Sequence, residues 1–396
     1  MRRLLTSGGC VAILGVLATL TLSSQGSGQS SVAATAPPLV VTAFNGGPEP
    51  AGWASPKTPW GEPDLQGVWS SDDATFPVSR GGRGGAAPTG LYLNDEQWAA
   101  RQKQIQQGVA TGENAIGAFR GDFARRAFRQ TSYVVDPPDG VQPQPLPAAR
   151  ARARLGDRGT FGDGPFNTFD DFTNYDRCIT RGIWGSVIRV IYGNGNRIVQ
   201  APGMVVLSYE MLPDTRILYT DGRPRLNSSM HQYLGDARAR WEGEELVVET
   251  TNLTDKTAIG VNGNGVRHST QMVITERFRR VADGIIQYQA TYDDPVTYDK
   301  PFTVSFPLTP LDGGQLLPYD CHPGNTAISM SLSAERAEDR AVAADAAKGI
   351  VRPRRTVQDD GAGVGAAPPA GRGGGRGAGA PPLPAGAATG ERDVER

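Results

Sequence analysis

The chain is 396 residues long and carries 40 basic and 41 acidic side chains, a formal net charge of −1 at pH 7, so nothing in its overall charge points to nucleic acid or another polyelectrolyte. Its 51 glycines and 30 prolines, about a fifth of the residues, remove long stretches from any packed core. One folded domain with tails is expected.

Arg2 and Arg3 precede an apolar run from Val11 to Leu22, and small polar residues follow through Ala36. This is the layout of a secretory signal peptide, 1–36, whose run is short for a bilayer core of about 30 Å. Cys10 lies before the run, not at its end where a lipid-modified first residue would sit. The expected product is exported, periplasmic or extracellular, with no membrane association after signal removal. Residues 37–60, rich in Ser, Ala, Gly and Pro, read as a flexible linker, and 61–350 as a single domain. RGGRGGAAPTG, 80–90, is a second flexible stretch. The tail 351–396 has almost no large apolar residue and cannot offset its ordering entropy. Its Arg-Gly repeats are of a kind that binds RNA, but disorder is the reading for an exported chain, and no nucleic-acid partner is expected.

Within the domain, LNDEQWAARQKQIQQG predicts a helix capped by Asn94, with Gln97 in capping-box position and Gly108 as its stop. It opens an irregular and helical insertion, 90–175. From Asn196 the pattern changes to strands: NRIVQ, MVVLSYEM, TRILYTD, ARARWE, ELVVETTN, HSTQMVITERFRRV, GIIQYQATYDD, PFTVSFPL and QLLPYDC. Glu242-Gly243 and Asp283-Gly284 are read as two-residue turns, glycine supplying the positive φ that joins twisted antiparallel strands. The expected fold is mainly β, an up-and-down antiparallel meander that closes on itself to remove its edges. Alternation puts His268, Met272, Ile274, Glu276 and Phe278 on one face, Ile286, Tyr288, Ala290, Tyr292 and Asp294 on the next, and Phe302, Val304 and Phe306 on the third. Together these predict an apolar interior with a few ionisable groups. SAERAEDRAVAADAAKG then predicts a C-terminal helix capped by Ser333 and ended by Gly349.

Removing the signal leaves two cysteines, Cys178 and Cys321, for which a structural disulfide in an oxidising compartment is the simplest account.

Gly67-Val68-Trp69, followed by the meander and the C-terminal helix, resembles the lipocalin or calycin barrels over residues 64–71 and about 196–348. The resemblance implies that Trp69 plugs the barrel floor under an arginine from a late strand, with Gly67 allowing close backbone approach. In this chain more than a hundred residues separate Trp69 from the next expected strand, whereas lipocalins run on directly, and Trp69 as an ordinary core aromatic stays open. PWGEPDLQGVW, YDRCITRG, RWEGEELVVETTN and DCHPGN also resemble a broad group of exported bacterial proteins of unknown function, from 58 to 340. That likeness implies one unit and brings no activity.

The three histidines, His231, His268 and His322, all fall inside the strand-rich region and are expected in the folded core. In one reading His268, Glu276 and Tyr288, with Arg277 and Arg181, orient a mostly apolar small-molecule ligand in the barrel cavity. In a second, His231 or His268 works with Asp236 or Asp294, aided by Tyr292, as acid–base catalyst of a lyase, isomerase or hydrolase. In a third these groups are structural, in a scaffold or interaction protein. Zinc held by the three histidines stays open as a variant of the enzyme reading, but with no HExxH motif, closely spaced His pair, nucleophile elbow around Ser186, Walker loop or strand-then-GxGxxG motif, no metal or cofactor is expected. The glycines of VNGNGVR shape a loop. In YDRCITRG, Asp176, Arg177 and Arg181 are expected to anchor the irregular segment through ion pairs, with a clamp for an anionic substrate as the alternative. The sequence leaves the oligomeric state open.

Overall fold

The computed structural model describes residues 36–80, 90–111, 124–152, 166–190 and 192–351; residues 1–35 of the expected signal peptide, the glycine-rich stretch 81–89 and the tail from 352 lie outside them. Along the chain the elements are β1 (Gly67–Ser70), α1 (Asp95–Thr111), β2 (Val134–Asp136), α2 (Pro147–Ala151), α3 (Gly182–Val187), β3 (Gly195–Ala201), β4 (Met204–Tyr209) and β5 (Thr215–Tyr219). They continue with β6 (Asp236–Glu242), β7 (Glu245–Thr251), β8 (Ala258–Ile259), β9 (Val266–Arg267), β10 (Val273–Ala282), β11 (Ile285–Asp293), β12 (Phe302–Pro310) and α4 (Ala327–Ala346).

Strands β1, β3, β4, β5, β6, β7, β10, β11 and β12 pair in that order, and β12 pairs back onto β1, which closes a nine-strand barrel. The fold is therefore mainly β, with the expected meander and C-terminal helix. Two features depart from a plain up-and-down barrel. The contact between β5 and β6 is parallel, through Tyr219 and Arg238, because residues 220–235 carry the chain back to the end from which β5 started. The free edge of β12 is shared: β2 takes its beginning at Thr303 and Val304, and β1 its end at Thr309 and Pro310.

Glycine makes the tight hairpins possible. Gly284, at φ +68°, lies in the two residues between the paired Ala282 and Ile285. Gly243, at φ +62°, does the same between Glu242 and Glu245, so that turn is Gly243-Glu244, one residue later than the sequence suggests. The capping box of α1 forms as expected, with Gln97 N donating to Asn94 Oδ1 at 2.9 Å and Asn94 N donating to Gln97 Oε1 at 3.2 Å. The helix nevertheless runs through Gly108, since glycine weakens a helix without blocking its hydrogen bonds. Helix α4 starts at Ala327, ahead of the expected cap Ser333, which sits inside it.

Two expected strands are corrected. QLLPYDC forms none: Gly313 and Gly314, at φ +75° and +61°, turn the chain off the barrel, and the β12 edge is already taken by β1. His268 and the residues after it are a turn, in which Met272 N donates to Ser269 O at 3.3 Å, and the strand begins only at Val273. The expected linker is also anchored at its start. Gln289 Oε1 accepts Val40 N at 2.8 Å, Gln287 Oε1 accepts Thr42 N at 3.1 Å, and Ser305 Oγ donates to Val40 O at 2.7 Å. These outward-facing polar residues of β11 and β12 satisfy the backbone of an extended segment that has no strand partner.

Inside the barrel the rings pack on one another. Phe306 lies 5.1 Å from Tyr288 and 4.7 Å from Tyr133 between ring centroids; Phe278 lies 4.9 Å from Tyr288, and Tyr292 lies 5.3 Å from Phe302. At the end marked by Pro310, Trp69 is 4% exposed, donates Nε1–H to Leu65 O at 2.9 Å, and has the Arg280 guanidinium 5.7 Å from its ring centre. Gly67 is required there: its φ is +140°, and a β-carbon would stand 3.2 Å from the indole nitrogen. At the opposite end, marked by Phe302, α3 lowers Trp184 onto Tyr292 and Phe302, with ring centroids 5.0 and 6.0 Å apart.

Candidate functional site

Of the expected ligand groups, Glu276 and Tyr288 meet inside the barrel, but with an arginine the sequence did not point to. Arg216, on β5, reaches across to Glu276 with Nη1–Oε1 at 3.0 Å and Nη2–Oε2 at 2.5 Å; the side chains are 2% and 0% exposed. Arg216 also donates to Tyr209 Oη at 3.1 Å and Thr250 Oγ1 at 3.0 Å, and Tyr288 donates its hydroxyl proton to Glu276 Oε1 at 3.1 Å. Burial pulls the Arg216 pKa down, but Glu276 and Tyr209 more than offset it and the net direction is up. Tyr288 and Tyr292 are pushed up, by burial first and by the Glu276 charge second. Glu276 thus spends its lone pairs on a guanidinium and a phenol. The cluster is a self-contained knot in a ring-filled interior, where the alternation pattern predicts a hollow.

The expected catalytic groups do not converge. His268 is 4% exposed and both ring nitrogens are occupied: Nδ1 donates to Ser269 O at 3.0 Å and Nε2 accepts from Thr257 Oγ1 at 2.5 Å. Burial lowers its pKa, which favours this neutral form. Asp294, 1% exposed, accepts Ser269 N and Ser269 Oγ, each at 2.7 Å, and so shapes the turn that carries His268. Asp236 accepts Leu226 N at 2.9 Å and pairs with Arg238. His231 is exposed. Tyr292 belongs to the interior ring stack, and Arg277 faces outward, bridging Glu242 and Glu245 at 3.0 Å each. The polar atoms of His268 and Asp236 are engaged in holding turns and strand ends together. Among the described residues no three His, Cys, Asp or Glu side chains gather as metal ligands.

Arg181 is different. It precedes α3, a six-residue helix pressed against the VNGNG loop through glycines: a β-carbon on Gly185 would stand 2.4 Å from Gly263 N, and one on Gly263 2.3 Å from Arg181 O. No side chain fits in that interface, so the loop glycines fix the backbone of Arg181 from behind. The turn before it is equally committed, with Thr180 Oγ1 donating to Asp214 Oδ2 at 2.6 Å and accepting Gly182 N at 2.9 Å. The expected ion pair with Asp176 does not form, and Arg177 instead pairs with Asp170 at 2.9 Å on the surface.

The Arg181 side chain is 1% exposed, and Nε, Nη1 and Nη2 all lack a hydrogen-bond acceptor among the described residues. Its electrostatic neighbours are three phenols, Tyr175, Tyr319 and Tyr192, and burial lowers its pKa to about 10, leaving it charged at neutral pH. A buried ion commonly costs several kcal/mol unless it is paired and hydrogen-bonded. Tyr175 and Tyr319 face each other with hydroxyls 3.3 Å apart, and burial raises the Tyr175 pKa, so that phenol stays a proton donor. Cys178 and Cys321 form the expected disulfide, Cα–Cα 5.7 Å, which ties the segment of Tyr319 to the loop of Arg181. Close by, Trp184 Nε1, Ser186 Oγ and Asn262 Oδ1 are also buried without partners among the described residues. Sequence reading singled out Arg181 but not its tyrosines. For Tyr175 and Tyr319 the signal, an aromatic residue beside each cysteine, is visible only once the disulfide is drawn.

No protein-family model, curated protein or solved structure matches the chain.

Proposed function

We propose that this is an exported, calycin-like small-molecule-binding protein that takes its ligand at the α3 end of the barrel. The observation that carries the reading is the Arg181 guanidinium, buried and charged with no acceptor on any nitrogen among the described residues. Natural proteins rarely leave such a group unsatisfied, and when they do the group commonly serves a ligand. Export is supported by the charged and apolar layout of residues 1–36 and by the disulfide, which persists in oxidising compartments. Acid–base catalysis has less support, since both ring nitrogens of His268 are occupied and His231 is exposed.

The test is a thermal-shift screen of the mature protein against small molecules of varied charge, followed by calorimetric titration of any that stabilise it. A ligand that raises Tm in wild type and loses at least tenfold in affinity in Arg181→Met supports the reading. A broad screen with no stabiliser, together with an Arg181→Met protein more heat-stable than wild type, overturns it in favour of a purely structural arginine.

A further inference from the structure

We infer that the group received at Arg181 is a singly charged oxyanion, such as the carboxylate of a small organic acid, entering beneath the segment 315–325. The inference rests on the binding reading above and specifies its ligand and its route.

The charge balance sets the class. The Arg181 guanidinium is buried with no acceptor on any nitrogen, and among the described residues the groups that act on its charge are three phenols, not a second cation or a carboxylate. The carboxylates nearby in the fold are engaged: Asp214 by Thr180, Glu210 by Gly195 N at 3.1 Å and Leu317 N at 3.0 Å, and the buried Asp176 by Thr173 N at 3.4 Å. A single positive charge with neutral donors around it complements one negative charge; a dianion would carry a second charge into a buried space with nothing to balance it. The planar fork of the guanidinium suits a carboxylate, which accepts two parallel N–H bonds. The phenols can donate to the same oxygens, while their rings offer apolar surface to the rest of the molecule. A neutral amide would bring one acceptor oxygen and two unwanted N–H donors.

Entry needs a moving wall, because Arg181 is 1% exposed. The wall carrying Tyr319 suits that role. Residues 315–325 contain no strand or helix. They are bounded by Gly313 and Gly314 at φ +75° and +61° on one side and by Gly324 at φ +75° near the other end. Side-chain positions at Gly314 and Gly324 have nothing within 4 Å. Among the described residues their side-chain ties to the rest of the fold besides the disulfide are Leu317 N to Glu210, the Tyr175–Tyr319 contact, and Asn325 Nδ2 to Asp176 O at 3.2 Å and to Cys178 Sγ at 3.5 Å. The disulfide at Cys321 keeps the segment tethered while Tyr319, two residues earlier, swings aside.

The experiment uses the intact, oxidised mature protein at constant ionic strength, with acetate, benzoate, sulfate, inorganic phosphate and the neutral benzamide as probes. Benzoate and acetate are expected to raise Tm and titrate, with benzamide at least tenfold weaker and the dianions weaker than the carboxylates. Tyr319→Phe should lower benzoate affinity a few-fold, and Arg277→Gln, which removes a charge from the outer face, should leave it unchanged. If benzamide binds as tightly as benzoate, or sulfate more tightly than either carboxylate, the monoanion assignment is wrong although a small-molecule site remains. If Tyr319→Phe binds benzoate like wild type, Tyr319 takes no part in holding the carboxylate. If no probe binds, and a wider screen of neutral molecules also fails, the site itself is lost along with its class. The comparison of benzoate with benzamide on wild type needs no variant to fold.

Discussion

Two arginines of this barrel are both buried, at 3% exposure for Arg216 and 1% for Arg181, and they are buried on opposite terms. Arg216 sits among β strands and hands its protons to Glu276, Tyr209 and Thr250, so the charge it brings is matched at the place where it is desolvated. Arg181 sits in the cap, among phenols, and hands its protons to nothing among the described residues. A paired buried charge is costly to break, and an unpaired one is costly to keep. The first is therefore expected to specify the interior, and the second to be held in readiness for something that completes it.

The largest effect on this contrast comes from the cross-link of the cap. Replacing Cys178 and Cys321 by serine opens a loop whose ends are 143 residues apart in sequence, and the loss expected from chain entropy is about 4–5 kcal/mol. Denaturant unfolding of the double variant measures it. Arg216→Met leaves the Glu276 carboxyl without its guanidinium in the ring-filled interior and should cost about 3–5 kcal/mol by the same measurement. Arg181→Met should have the opposite sign, a gain of about 1–4 kcal/mol without ligand, because it removes a charge that nothing answers. If both arginine variants destabilise alike, the contrast between the two regions fails.

The smallest expected effect is on pH dependence. His268 is held neutral with a folded pKa below the ordinary imidazole value of 6.5, so the unfolded chain takes up its proton more readily. Its contribution is present in full above about pH 6.5 and is lost as pH falls through the lowered folded value. Tm followed from pH 8 to pH 5 should decline more steeply in wild type than in His268→Gln. Equal slopes would place the titration elsewhere.

The parts legible in the sequence are those set by local geometry. Gly67 and Trp69 announce their arrangement because a positive φ beside a bulky indole admits only glycine. Asn94 and Gln97 announce the start of α1 because capping needs only residues three apart. Misreadings arise where local periodicity runs past the end of an element. The period-two pattern, extended backwards, puts His268 on the face of Glu276, but a turn at Ser269, held by Asp294, breaks the strand there. Arg216 was hidden because the alternation of Thr215, Arg216, Ile217, Leu218 and Tyr219 puts an apolar residue on both faces, and only the pairing of β5 with β4 places Arg216 and Leu218 inside.

By itself the sequence determined a β-rich barrel with glycine-made hairpins, a capped helix ahead of the main run of strands, a helix after it, and a single cysteine pair in the folded part. These follow from φ preference, periodicity and composition, which act over a few residues. Tertiary structure alone decided that the interior would be filled by rings around an Arg216–Glu276 pair, and that Arg181 would meet Tyr175, Tyr192 and Tyr319 in the cap. Desolvation and pairing depend on which distant residues share a space, and no local pattern encodes that.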